Sequence, residues 1–335
     1  MLTRLGPPGV GNIGDIVFTW NNRPTGDGSA RYRRLGRTGL IAIAVALAVV
    51  GASLVAIIVS LVSPKVPSCA AAPTPVNPPS QVTGSYDRQV LSFSPALYLP
   101  LSSPASGSGA DMSGNGHTAT FLPAGSTFSQ TALPNGDKAS LFNGQGQYAE
   151  VPSSKALSIT DTGCLTVEAW VKATVKQFPQ DEGTGYVYIL GKGMPREYEY
   201  ALRMYSYTNT ESPPRPNRVS AYVFNLDGGM GSGAYFQDTN VIGNWMMVTL
   251  VVDAQATSGW SHGYVALYKN GVLRGKVSLS QYDVKPGAAG APFRIATRSL
   301  DSYFEGAIGK VAVYDSALPQ SDIAATYKAM LSPGS

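Results

Sequence analysis

Leu40 to Val62 is an unbroken apolar run with no charged residue. As a helix rising 1.5 Å per residue it would reach roughly 35 Å, enough to cross a bilayer with some tilt. The run is too long for the apolar region of a cleavable leader, and 39 residues precede it. The pattern therefore predicts a transmembrane helix rather than a signal peptide or a buried soluble helix. Within it Ala44, Ala48, Ala52, Ala56 and Ser60 recur every four residues. On a helix they form one smooth ridge of the kind along which a second helix packs in lipid; plain alanine richness would give the same row.

Beyond the run the period changes to two. Leu165, Val167, Ala169 and Val171 alternate with Thr166, Glu168, Trp170 and Lys172, the pattern of a half-buried strand. Tyr186–Leu190, Tyr198–Tyr205, Arg218–Leu226, Trp245–Val252, Phe293–Thr297 and Ile308–Tyr314 read as further strands. Tyr264–Lys269 and Val272–Val277 flank Asn270-Gly271, a pair suited to the left-handed positions of a type I′ hairpin turn. Pro319–Met330 is the one convincing soluble helix, with Ile323, Tyr327 and Met330 on one face. Many short strands with turn punctuation predict an all-β sandwich or barrel. Between span and strands, Pro64, Pro67, Pro73, Pro75, Pro78 and Pro79 predict a semi-rigid spacer. The organisation is then 1–39 N-terminal tail, 40–62 transmembrane helix, 63–85 proline-rich linker and 86–335 β domain. The tail is turn-rich apart from the patch Ile16, Val17, Phe18 and Trp20, which reads as disordered chain, a docking strand or an interface anchor.

Composition agrees with short strands: 37 glycines, 24 prolines and only 14% charged residues. The net charge of +4 is confined to the tail, where six arginines face two aspartates; from Lys65 onward 19 basic and 19 acidic residues cancel. Arg31, Arg33, Arg34 and Arg37 crowd the start of the span and only Lys65 lies close after it. The positive-inside rule then puts the N-terminus in the cytoplasm and the β domain outside, periplasmic or extracellular. This is an orientation signal and not a nucleic-acid footprint, which needs a basic face on a folded domain. No Asn-x-Ser/Thr sequon is present, which fits a bacterial inner-membrane protein. Cys69 and Cys164 belong to no zinc-type cluster. They read as one linker thiol and one buried thiol or, outside the cytosol, as a disulfide.

The order of motifs resembles the laminin-G-like jelly rolls of the concanavalin A-like lectin/glucanase superfamily. Ala96-Leu97-Tyr98-Leu99-Pro100-Leu101 is similar to the first strand of that group, and Asp111-Met112-Ser113-Gly114-Asn115-Gly116 to its Asp-x-Ser-Gly-Asn-Gly turn. Ser140-Leu141-Phe142-Asn143-Gly144, Tyr148-Ala149-Glu150-Val151-Pro152 and Leu165-Thr166-Val167-Glu168-Ala169-Trp170-Val171 follow in the family order. Trp245, Leu267-Tyr268-Lys269-Asn270-Gly271, Phe304-Glu305-Gly306, Val313-Tyr314 and Ala317-Leu318 complete it, so the resemblance covers roughly 94–330. It implies a two-sheet antiparallel jelly-roll sandwich, preceded here by one transmembrane helix. It also implies a calcium ion held by Asp111, beside Asn115, with backbone carbonyls and an acid on the last strand. Here Ile308 is followed instead by Gly309-Lys310, and a hydrogen-bonded turn accounts for Asp111 and Asn115 equally well.

Glucanase chemistry needs paired carboxylates about 5–5.5 Å apart. The Glu-x-Asp-x-x-Glu run is absent; Glu197 and Glu199 lack a third acid and read as a solvated strand face, and Glu168 stands alone. His117 and His262 have no nucleophile or metal partner at a useful spacing, and both read as surface residues. The glycines of 227–233 lack the basic residue and following helix of a phosphate site and read as a mobile loop. The expectation is a protein without catalytic residues. Two roles fit. The preferred one is an accessory subunit of a larger membrane complex of respiratory, photosynthetic or secretion type, its ridge packed on other transmembrane helices. The other is a displayed carbohydrate- or protein-binding module, with Tyr205, Tyr207, Tyr222, Tyr235 and Trp260 available to stack on glycans.

Overall fold

The computed structural model describes Cys69, residues 75–76 and residues 84–332 apart from 103–107, 160–162 and 258. Two eight-stranded antiparallel sheets face each other. The first runs β14 (Val272–Ser278), β13 (Tyr264–Lys269), β12 (Met246–Asp253), β7 (Cys164–Ala173), β16 (Glu305–Tyr314), β5 (Lys138–Asn143) and β4 (Gln130–Ala132), with β1 (Leu97–Leu99) also paired to β16. The second runs β11 (Gly228–Phe236), β10 (Val219–Asn225), β9 (Tyr200–Tyr205), β8 (Tyr186–Lys192), β15 (Phe293–Ile295), β6 (Tyr148–Val151), β3 (Ala119–Leu122) and β2 (Ser108–Gly109). The inward residues of the strands form one core between the sheets, as the period of two requires: Leu165, Val167, Ala169 and Val171 from β7 meet Val187, Leu202, Val219 and Phe293 of the second sheet.

The other face of β7 departs from the half-buried expectation. Thr166, Glu168 and Trp170 are buried too, because two helices cover the outer face of the first sheet. The C-terminal helix Gln320–Leu331 lays Ile323 and Met330 there and stacks Tyr327 on Trp170, ring centroids 5.7 Å apart. A second helix, Ser85–Ser92, lies where the spacer was expected to give way to strands. At eight residues it is too short to announce itself by period, and it is held by burying Tyr86 and Val90, one turn apart, in the same layer. Lys310 helps to fix it: its ammonium bonds Asp87 of this helix at 2.6 Å and Asp137 of the β4–β5 turn at 2.7 Å.

The Asn270-Gly271 hairpin forms as expected, with φ of 54° and 79°. The glycine-rich stretch expected to be a mobile loop is instead largely strand, since β11 pairs along β10. Cys69 and Cys164 are joined in a disulfide with Cα atoms 5.1 Å apart, so the two-thiol reading gives way to the pair. Among the described residues no helix is long and apolar enough to cross a membrane. The Leu40–Val62 span with its ridge, the tail patch and the arginine cluster all lie outside the described residues.

Candidate ligand-binding site

The outward residues of the second sheet are aromatic where a solvated face would be polar. β8 contributes Tyr186 and Tyr188, β10 contributes Tyr222 and Phe224, and between them β9 contributes Arg203, with Tyr188 and Arg203 directly opposite in the ladder. The guanidinium of Arg203 lies 3.8 Å from the Tyr222 ring centroid and 4.4 Å from that of Tyr186. Its Nη2 donates to the Tyr205 hydroxyl at 2.8 Å. Arg298, from the segment after β15, enters from the other side. It lies 4.1 Å from the Tyr188 centroid and 4.4 Å from that of Tyr198, and donates to the Tyr188 hydroxyl at 2.7 Å and to Ser299 Oγ at 3.0 Å. Such contacts hold both guanidinium planes between rings.

The glycines of β11 make this layer possible. A Cβ at Gly231 would collide with the Phe224 ring and one at Gly233 with the Tyr222 ring, so only glycine lets both rings lie across the edge strand. Above them is a cleft of about 400 Å³ whose lining includes Tyr186, Tyr188, Tyr198, Arg203, Phe224 and Arg298, with Glu182, Glu211, Asp301 and Met230 also bordering it. That volume is in the range of small-ligand sites.

The charges in the cleft are unevenly matched. Glu211 is balanced by Arg215 at 3.2 Å and accepts from Thr184 Oγ1 at 2.6 Å; burial works to raise its carboxyl, but these donors hold it below the ordinary range. Burial pushes the Glu182 carboxyl upward. Burial raises the Tyr205 hydroxyl to about 12, so it stays protonated at neutral pH. Arg203 and Arg298 are only 9% and 4% exposed, and their hydrogen bonds run to neutral hydroxyls. Of the five aromatics named from sequence, Tyr205 and Tyr222 belong to this layer. Tyr207 and Tyr235 are exposed, each beneath a cation, and Trp260 packs with Tyr264 and Lys276. Tyr186, Tyr188 and Tyr198 and the two arginines are not among those five. The alternation on β8 and β10 carries a signal for the rings, but nothing local marks Arg298, which the fold brings in from outside the strands.

Residues 143–324, more than half of the chain, match the family described as the concanavalin A-like lectin/glucanases superfamily. The chain belongs to that superfamily. No curated protein matches it. Among solved structures it is similar in fold to the receptor binding domain of botulinum neurotoxin C/D mosaic serotype, at 14% identity and TM-score 0.50, covering 70% of this chain and 51% of that one. The receptor binding domain of botulinum neurotoxin D gives 14% and 0.50, over 70% and 52%. The ligand binding domain of serotype D in complex with N-acetylneuraminic acid gives 14% and 0.50, over 70% and 50%. This chain thus spans about half the length of these structures.

Asp111 and Asn115 sit in one turn of this superfamily member, as expected. Asp111 Oδ1 accepts from the backbone N–H of Tyr98 (3.0 Å) and of Ser113 (2.9 Å), and Oδ2 from that of His117 (2.8 Å). Burial works to raise this carboxyl, but the N–H donors bring it below the ordinary range. Asn115 Nδ2 donates to the carbonyls of Pro95 and Ala96. Three N–H groups thus already bond Asp111, and Lys310 stands on β16 where the resemblance calls for an acid. These hydrogen bonds close the turn by themselves.

The candidate catalytic acids are also accounted for. Glu199 is buried rather than solvated, bonded by the Lys192 ammonium, the Ala289 N–H at 2.8 Å and Ser158 Oγ at 3.2 Å. Glu168 lies beneath the helix Ser85–Ser92, accepting from the Tyr86 hydroxyl at 3.2 Å and from Thr249 Oγ1 at 3.5 Å. Neither borders the cleft. Of the two histidines expected at the surface, His262 is exposed and His117 half-buried.

Proposed function

We propose that this chain is a membrane-anchored carbohydrate-binding module without catalytic residues, which holds its ligand in the tyrosine–arginine cleft and is displayed outside by the Leu40–Val62 span. The observation that carries the reading is the cleft itself. It sets guanidinium donors and carboxylate acceptors among aromatic rings, and a saccharide needs all three, since each hydroxyl both donates and accepts while the ring faces stack. The Cys69–Cys164 disulfide supports an oxidising compartment for the domain. The arginines before the span support a cytoplasmic N-terminus.

A glycan array probed with the full chain in detergent should give a bounded set of hits that Arg298→Gln removes. A blank array, or hits indifferent to that substitution, would sink the proposal. Protease added to intact cells or spheroplasts should digest the β domain and spare the first forty residues; the opposite pattern would overturn the topology. The subunit role rests on the ridge and tail, which precede the described part of the chain. Gentle extraction with native sizing separates the two roles: a large stoichiometric complex favours the subunit, and a free monomer or small oligomer favours the module.

A further inference from the structure

The two arginines of the cleft are incompletely satisfied. Arg298 Nη1 and Arg203 Nε are buried and have no hydrogen-bond partner among the described residues. Nor does either guanidinium make an ion pair there: Arg203 bonds the Tyr205 hydroxyl, and Arg298 bonds those of Tyr188 and Ser299. Of the carboxylates bordering the cleft, Glu211 is already matched by Arg215, burial drives Glu182 toward its neutral form, and Asp301 is exposed and makes no ion pair with either arginine among the described residues. Stacking on tyrosine faces offsets part of the cost of burying a guanidinium, but ring faces supply no counter-charge. A buried cation with an unmade hydrogen bond gains most from an oxyanion, which brings both the acceptor and the charge.

The geometry points to acidic saccharides as the ligands: a carboxylate or sulfate group on the sugar seats against Arg203 and Arg298. This deepens the carbohydrate-binding reading and rests on it. A neutral pyranose would offer hydroxyl acceptors but bring no counter-charge to either guanidinium. Because the rings already hold the guanidinium planes, little side-chain freedom remains to be lost on binding, which favours an oxyanion that offers arginine two oxygens.

The test uses the full chain in detergent micelles with three probes: sodium glucuronate, glucose 6-sulfate and glucose. Saturation-transfer NMR titrations should show binding of at least one acidic probe and at least tenfold weaker binding of glucose. Which acidic probe binds identifies carboxylate or sulfate as the recognised group. Arg298→Gln and Arg203→Gln should each weaken the acidic probe roughly tenfold, the scale of one charge-assisted hydrogen bond. Both arginines are packed, so a rim substitution guards against misfolding. Met230 borders the cleft and is 72% exposed. Met230→Glu should weaken the acidic probe about threefold and Met230→Lys strengthen it, both effects fading with added salt. Glucose binding as tightly as glucuronate, and lost on Arg298→Gln, would overturn the acid preference while leaving the cleft a sugar seat. Failure of all three probes to bind, or binding indifferent to every one of these substitutions, would overturn both.

Discussion

Glu168 gives the sharpest physical test of the layer beneath the helices. Its carboxyl is fully buried on β7 and bonded by two neutral hydroxyls, those of Tyr86 and Thr249. Burial raises it from the ordinary 4.5 to about 8, an effect the two hydrogen bonds only partly oppose. The folded chain therefore holds a proton that the unfolded chain has released across this range. The contribution of Glu168 to stability is greatest below about pH 4.5, falls as pH rises toward 8, and levels off above it. A shift of that size is worth about 5 kcal/mol at 1.36 kcal/mol per pH unit, an order-of-magnitude figure. Glu168→Gln keeps the shape and a neutral amide whose N–H can reach either hydroxyl. Urea unfolding of the full chain in detergent should find the variant within about 1 kcal/mol of wild type at about pH 5. It should be several kcal/mol more stable at about pH 8.5. An equal difference at the two pH values would refute the argument, because it would mean that Glu168 does not stay protonated on folding.

Other substitutions probe other parts of the same account. Cys69→Ser, which opens a link between positions 95 residues apart, should lower stability by about 2–5 kcal/mol in denaturant unfolding under non-reducing conditions; an unchanged midpoint would mean that the pair is not formed. Lys310→Met leaves Asp87 and Asp137 without their shared cation and should cost about 3 kcal/mol, with amides of Ser85–Ser92 the first to lose hydrogen-exchange protection. Gly233→Ala displaces the Tyr222 ring and should cost about 1–3 kcal/mol, together with a changed near-ultraviolet tyrosine signal. Because N–H groups close the Asp111 turn, millimolar calcium or a chelator should leave the melting temperature within about 1 °C, whereas a specific ion would raise it in proportion to its occupancy.

The architecture was legible in the sequence because strand burial writes itself as a period of two. β7, the Asn270-Gly271 hairpin and the C-terminal helix are all local patterns, and each lies where its pattern put it. The helix Ser85–Ser92 and the strand pairing of the 228–233 glycines were not legible. The first is too short to show a period, and the second takes its conformation from β10 rather than from itself. Glu199 misled for a related reason: beside Glu197 it reads as part of a solvated face, until a distant loop and Lys192 close over it.

What this sequence determined unaided is its class: alternating strands that resemble one superfamily, set after an uncharged apolar run, an arginine-rich stretch and a proline-rich one. These follow from the solvent each residue prefers, a property of the residue and its near neighbours. Only tertiary structure decided which cysteine meets which, which face of β7 is covered, and that Arg203 and Arg298, almost a hundred positions apart, share one bed of tyrosines. Contacts of that kind depend on how sheets stack and loops return, and no local pattern encodes a meeting between residues so far apart in the chain.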